Sequence, residues 1–226
     1  MREIVFDTET TGFDPNNGDR VVEIGCVEII NGMPTGETFH KYVNPNRDMP
    51  ESAFKIHGLS SDFLSDKPFF SEVAQGFLDF IKDDNLVAHN AEFDMKFINW
   101  EMENAGLKAV LLYRMVDTLK IARSRFPGAK NSLDALCSRF GIDNSGRALH
   151  GALLDSEILA EVYLELRGGR QAGMDLSVSN PDIAEQSEKK KREMRSYPPS
   201  AEELEAHKKF LKKIPNPMWA KTSFQE

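Results

Sequence analysis

A chain of 226 residues, at about 150 residues per domain, has room for one domain and an extension, and its 40% hydrophobic content is enough to fill a core. Its most apolar windows, Val21 to Ile30 and Phe77 to Ile81, still carry acids, which excludes a membrane-spanning helix, and the acid-bearing N-terminal run excludes a secretory or transit peptide. Residues 1–169 hold 17 Lys/Arg against 27 Asp/Glu, a net −10, whereas 170–226 hold 11 against 9, a net +2. A body of that sign repels a polyanion, so a nucleic-acid substrate requires a local reversal of charge, for which bound metal ions are one device.

In chain order, Arg2 to Asp7 alternates around Ile4, Val5 and Phe6, Arg20 to Ile30 is rich in β-branched residues, and Gly36 to Val43 is a third extended run after the turn signal Asn31-Gly32. These predict three strands in hairpin succession. Helical spacing follows in Phe70 to Lys82, where Val73, Phe77, Leu78 and Ile81 share a face, then a short strand Asn85 to Ala88 and a helix from Glu92 to Asn104. Further helices are expected at Thr118 to Arg125, Ser132 to Phe140 and Ala152 to Leu166, with Asn131 or Ser132 as a cap and Pro127-Gly128 as a break. Strands first and helices later, with one strand between helices, predict an α/β layer structure: a mixed sheet flanked by helices over residues 1–168. Cys26 and Cys137 lie far apart in apolar segments and read as buried free thiols of a reducing cytoplasm.

From Gly168-Gly169 onward the composition turns to Gly, Gln, Ser, Asn and Pro, then to the charged run Glu188 to Glu193, so 169–199 reads as a flexible linker. Helical character resumes over Ala201 to Ile214 after the N-cap candidate Ser200, and Pro215 and Pro217 end it, leaving 200–226 as a tail.

The residues that carry chemistry begin at the end of the first strand, in Phe6-Asp7-Thr8-Glu9-Thr10-Thr11-Gly12. A period of two sets Asp7 and Glu9 on one face, about 7 Å apart. Like charges that close need a cation, and oxygen ligands suit magnesium or manganese; a capping cluster at a strand end is the other reading of the same residues. Asp94, in His89-Asn90-Ala91-Glu92-Phe93-Asp94, falls in the first turn of a helix, where the dipole alone also favours it. In His150-Gly151-Ala152-Leu153-Leu154-Asp155, a five-residue offset on one helix would point the two ends about 140° apart. His150 must therefore precede the helix, on a loop over Asp155, with Gly151 permitting the bend.

Taken in this order, these motifs resemble the DEDD exonuclease superfamily in its His-containing branch, and most closely its polymerase-associated proofreading members. The resemblance spans residues 2–168 and includes Phe54-Lys55-Ile56-His57-Gly58-Leu59 and Asn131-Ser132-Leu133-Asp134-Ala135-Leu136-Cys137. It implies a ribonuclease H-like fold, two divalent ions held by Asp7, Glu9, Asp94 and Asp155, and His150 as general base. It also implies a site for the terminal nucleotide around Thr10, Phe13, Ile56, His57 and Phe93. Phe93 reads equally as core, whereas His57, in a His-Gly turn, is expected to expose its ring, and Asn90 to orient the site through its amide. Asp117 is expected to cap a helix.

The expected activity is removal of single-stranded or frayed 3′ ends of DNA as 5′ monophosphates, in the service of a replicative polymerase. In the linker, Gln171-Ala-Gly-Met-Asp-Leu176 looks like a sliding-clamp-binding peptide with anchors Gln171, Met174 and Leu176. Phe210, Met218 and Trp219 are candidate anchors for the polymerase catalytic subunit. Two rivals stand beside this: an exoribonuclease that trims RNA, and a non-catalytic bridge between polymerase and clamp.

Overall fold

A computed structural model describes residues 1–147, 149–169 and 198–215. The chain divides into two units, Met1–Met174 and Asp175–Glu226. The first is built on a five-stranded mixed sheet in the order β3-β2-β1-β4-β5, from β1 (Arg2–Thr10), β2 (Val21–Ile30), β3 (Met33–Tyr42), β4 (Asn85–Ala88) and β5 (Met115–Asp117). β1, β2 and β3 form the antiparallel meander, and β4 and β5 add in parallel to the far side of β1. The β2–β3 turn has Asn31 and Gly32 both in the left-handed region, at φ 54° and 83°, the geometry that Asn-Gly accepts readily.

Each face of the sheet carries its own core. Ile4, Phe6, Ile24 and Cys26 pack against α3 (Phe70–Ile81) and α4 (Ala91–Asn104), whose Val73, Phe77, Met95 and Ile98 are buried. Val5, Val27, Ile29 and Val87 pack on the other face against α5 (Thr118–Arg125), α6 (Leu133–Phe140) and α7 (Ala152–Leu166). Two-sided burial is why β1 reads as an unbroken apolar run from Ile4 to Phe6. Removing one fully buried ring such as Phe77 costs about 3–5 kcal/mol. Both cysteines are buried and free.

The expected helices and the first four strands are present, with β1 continuing beyond Asp7 to Thr10. Besides two three-residue 3-10 helices, Pro15–Asn17 and Leu112–Arg114, three elements are additional: α1 (Glu51–His57), α2 (Ser61–Leu64) and the three-residue β5. Only Ala53 and His57 of α1 are buried, while Phe54 and Ile56 are exposed, so α1 lacks the apolar stripe by which periodicity finds a helix. In the second unit, α8 (Ala201–Leu211) starts at a Ser200–Glu203 capping box, and none of its residues is buried. Among the described residues no helix is long and apolar enough to cross a membrane.

Candidate active site

The parallel strands β1 and β4 end on the same side of the sheet, and the N-termini of α4 and α7, from opposite faces, converge there. Asp7, Glu9, Asp94, Arg147, His150 and Asp155 line one cleft of about 270 Å³ at that edge. The strand period sets Asp7 and Glu9 toward α7. Thr8 points the other way and binds Asp94 Oδ1 through its backbone N–H (3.1 Å) and its Oγ1 (2.7 Å), which fixes the α4 carboxylate beside β1.

Asp155 reaches the site because α7 comes unusually close to the sheet. Gly25 pairs with Asp7 across the β1–β2 ladder, and a Cβ on Gly25 would lie 2.2 Å from Leu153 N and 2.3 Å from Ala152 C. Only a hydrogen at that position lets the first turn of α7 press on β2, where Ser156 Oγ also donates to Gly25 O at 2.9 Å. His150 precedes α7, as its spacing requires, and its backbone N–H donates to Ile56 O at 3.0 Å, tying the loop to the end of α1.

A second cleft of about 150 Å³ adjoins the first, sharing Thr8, Glu9 and Phe93 with it. Thr10, Phe13, Ile56 and His57 line it. Phe13 is 78% exposed and Ile56 42%, an apolar surface left open to solvent. Phe93 does both things expected of it, packing on the core and facing both clefts. The expectation for His57 is corrected: it is the last residue of α1 and only 5% exposed. Its Nδ1 accepts from Leu59 N–H at 3.0 Å, which puts the proton of the neutral ring on Nε2, and Nε2 is buried with no partner. Burial lowers its pKa, so the neutral ring persists. Asn90 has an exposed side chain that makes no capping bond, and its backbone turns at φ 70° to start α4, with its N–H donating to Asp117 Oδ1 at 3.2 Å. Asp117 caps α5 through Leu119 N–H and Lys120 N–H.

The carboxylates are crowded. Asp7 has its pKa raised well above the usual range by burial, then by Asp94, Glu9 and Asp155, and Glu9 is raised to about 8 by burial, then by Asp155, Glu23 and Asp94. Burial also raises Asp94, against the pull of its Thr8 bonds. Neither Asp7 nor Glu9 has a protein donor for its side chain among the described residues. Crowded carboxylates whose one neighbouring cation, Arg147, is committed to Asp155 and Asp134 fit a divalent cation, and ligand atoms of Glu9, His150 and Asp155 lie within 4.8 Å of one another.

Arg147 is the residue that sequence reasoning missed. Its side chain is 8% exposed, and it grips Asp155 with two N–H groups at 2.5 and 2.6 Å, donates to Asp134 at 2.6 Å and sets Nη2 2.9 Å from His150 Nδ1. It lies in a loop with no periodicity, so no pattern announces it. The anchors Gln171, Met174, Leu176, Met218 and Trp219 lie outside the described residues. Phe210, on α8, is 62% exposed.

Comparison with known proteins agrees with this geometry. The model of the Exonuclease family matches residues 4–163. The DNA polymerase III subunit epsilon of Rickettsia felis is 51% identical over 222 residues, covering 95% of this chain and 97% of the relative. That of Pasteurella multocida is 44% identical over 224 residues, covering 93% and 88%. Among solved structures, Exonuclease X in complex with 5′ overhanging duplex DNA superimposes with a TM-score of 0.59 at 27% identity, over 73% of this chain and 90% of that one. The nuclease domain of 3′hExo, a DEDDh family member bound to rAMP, gives 0.64 over 73% and 90%; at 20% identity it speaks for the ribonuclease H-like fold alone.

Proposed function

The chain belongs to the Exonuclease family, and from that premise we propose that it is the proofreading 3′→5′ exonuclease subunit of a bacterial DNA polymerase III. The observation that carries the reading is the convergence of four carboxylates from β1, α4 and α7, with His150, beside an open apolar cleft. Membership implies dependence on a divalent metal, and the relatives named DNA polymerase III subunit epsilon point to action on DNA and a polymerase partner. The finer reading is two magnesium or manganese ions held by Asp7, Glu9, Asp94 and Asp155.

Such ions supply charge stabilisation at phosphorus and a lowered pKa for the attacking water. The residues do the rest. Thr10, Phe13, Ile56, His57 and Phe93 receive the terminal nucleotide; the apolar surfaces of Phe13, Ile56 and Phe93 accept any base, as removal of any mispair requires. Water adds to the terminal phosphodiester, its proton passes to His150, and the bond from phosphorus to the 3′ oxygen of the penultimate nucleotide breaks. A nucleoside 5′ monophosphate and a new 3′-hydroxyl result, and solvent returns the proton to the leaving oxygen. His150 can accept at Nδ1 only after Arg147 releases it, and Asp155, freed of the guanidinium, would be one of the residues that hold a cation, which would supply the positive charge there.

Frayed ends are favoured because extracting a paired nucleotide costs a few kcal/mol and a mispair lowers that cost. Residues 1–168 act as the exonuclease domain in this reading. Within the linker 169–199, Gln171, Met174 and Leu176 reach a sliding clamp, and the tail 200–226 reaches the polymerase catalytic subunit through Phe210, Met218 and Trp219. The test is hydrolysis of 3′-labelled DNA, paired or terminally mispaired, beside its RNA counterpart. Chelator-sensitive release of monophosphate, fastest from mispaired DNA, is expected. Faster release from RNA would replace this reading with RNA trimming, and no release from either substrate would leave the bridging role.

A further inference from the structure

The body of the protein is acidic, yet the stretch from Thr118 to Arg139 holds five Lys/Arg against the single acid Asp134. Two of its arginines are occupied: Arg125 donates to the Glu165 and Leu166 carbonyls at the end of α7, and Arg139 donates to Asn131 and the Lys130 carbonyl while lying 4.3 Å from the Phe126 ring centroid. Arg123 and Lys130 are exposed and form no ion pair among the described residues. Arg123 lines a cleft of about 700 Å³ with His89, Ala129, Asn131 and Ser132. His89 and Ser132 also line the carboxylate cleft, so three clefts run in series. The first holds Thr10 and His57, the second the carboxylates, and the third Arg123.

We propose that the cleft around Arg123 binds the phosphates of the strand 5′ to the scissile bond, with Lys130 as a second cationic contact. This rests on the reading of the site as an exonuclease centre and fixes the direction in which the strand leaves it. If the terminal nucleotide lies beside Phe13 and His57, the rest of the strand must depart on the opposite side of the carboxylates, over His89 and Ser132. That exit is where this acidic body presents an unpaired guanidinium. The cleft bordering α4 instead carries Glu92 and Glu103 against the lone cation Lys96, the wrong balance for a polyanion. Phosphate contacts there act on every sequence equally, as proofreading requires.

The test measures binding of a fluorescent single-stranded DNA pentanucleotide, and of thymidine 5′ monophosphate, to the full chain in calcium, so that affinity is read apart from turnover. Wild type is expected to bind the pentanucleotide more tightly than the monophosphate. Arg123→Glu should remove about tenfold of that advantage, and Arg123→Gln should lower the salt dependence of log Kd by about 0.7, the contribution of one phosphate on a single strand. Arg123→Lys, which keeps the charge, should retain most of the advantage. Because Arg123 is exposed, unchanged melting temperatures check that the variants are folded. Pentanucleotide affinity and salt slope unaltered in Arg123→Glu, or no advantage of pentanucleotide over monophosphate in wild type, would overturn the proposal. Failure of wild type to hydrolyse any 3′ end with manganese is a separate result that strikes the exonuclease reading instead.

Discussion

Two sets of carboxylates in this protein behave in opposite ways. Glu101, 2% exposed, takes two N–H groups of Arg20 at 2.7 and 2.8 Å and the Val21 N–H at 3.3 Å, and Glu3, 3% exposed, takes the Tyr163 hydroxyl at 3.0 Å and Arg167 at 2.8 Å. Asp7 and Glu9 are given no such partners and instead face Asp94 and Asp155. The first kind of burial brings its own cation and locks elements together. The second keeps its oxygens free of protein donors at the cost of desolvation and mutual repulsion, which bound protons relieve in the metal-free protein and a cation would relieve when bound. Asp155 stands between the two, paired for the present with Arg147.

Substitutions at each set should therefore separate activity from stability. Asp7→Asn is expected to lower kcat/KM for a 3′-labelled strand on the order of 10³-fold or more, as for removal of one member of an interdependent catalytic set. In chelator it should melt no lower than wild type, because a repelling charge is gone; a large drop in melting temperature with activity retained would place Asp7 among the structural acids. Arg20→Ala should do the reverse. It strands the buried Glu101 and is expected to cost about 3–5 kcal/mol in denaturant unfolding, while activity per folded molecule stays near that of wild type. A smaller effect distinguishes the sets by pH. The Glu9 carboxyl titrates near 8 in the fold against about 4.5 in the unfolded chain, and Asp7 and Asp94 shift in the same direction. Between those values the native state binds more protons, so stability of the metal-free protein should fall as pH rises from about 5 to 8. Denaturation midpoints in chelator that rise over this range would refute the assignment of these acids as unpaired.

The sequence displays the parts of this architecture whose residues obey one rule at a time. Asn31-Gly32 marks a hairpin, Val73, Phe77 and Ile81 mark a helix face, and the alternation through Asp7 and Glu9 shows that they share a side. What it hides depends on residues that serve a surface other than the core. α1 turns Phe54 and Ile56 outward, so its periodicity is absent, and β5 is too short to have any. The burial of His57 follows from its place at the end of that unseen helix, not from the His-Gly pair. Convergence of Asp94 and Asp155 on Asp7 depends on Gly25 admitting α7 to the sheet, a contact between residues more than a hundred positions apart, and only the resemblance to a known family pointed to it. Arg147 had neither periodicity nor motif.

The most direct test of the central claim, that the carboxylates at the end of β1 are kept free for divalent ions, is calorimetric titration of manganese into chelator-treated wild type and into Asp7→Asn at neutral pH. Saturable binding of two ions to wild type is expected, weakened or reduced to one ion in the variant, with a gain of about 2.7 kcal/mol in wild-type stability for each ion at a concentration a hundredfold above its Kd. No saturable binding to wild type, or identical binding by the variant, would contradict it.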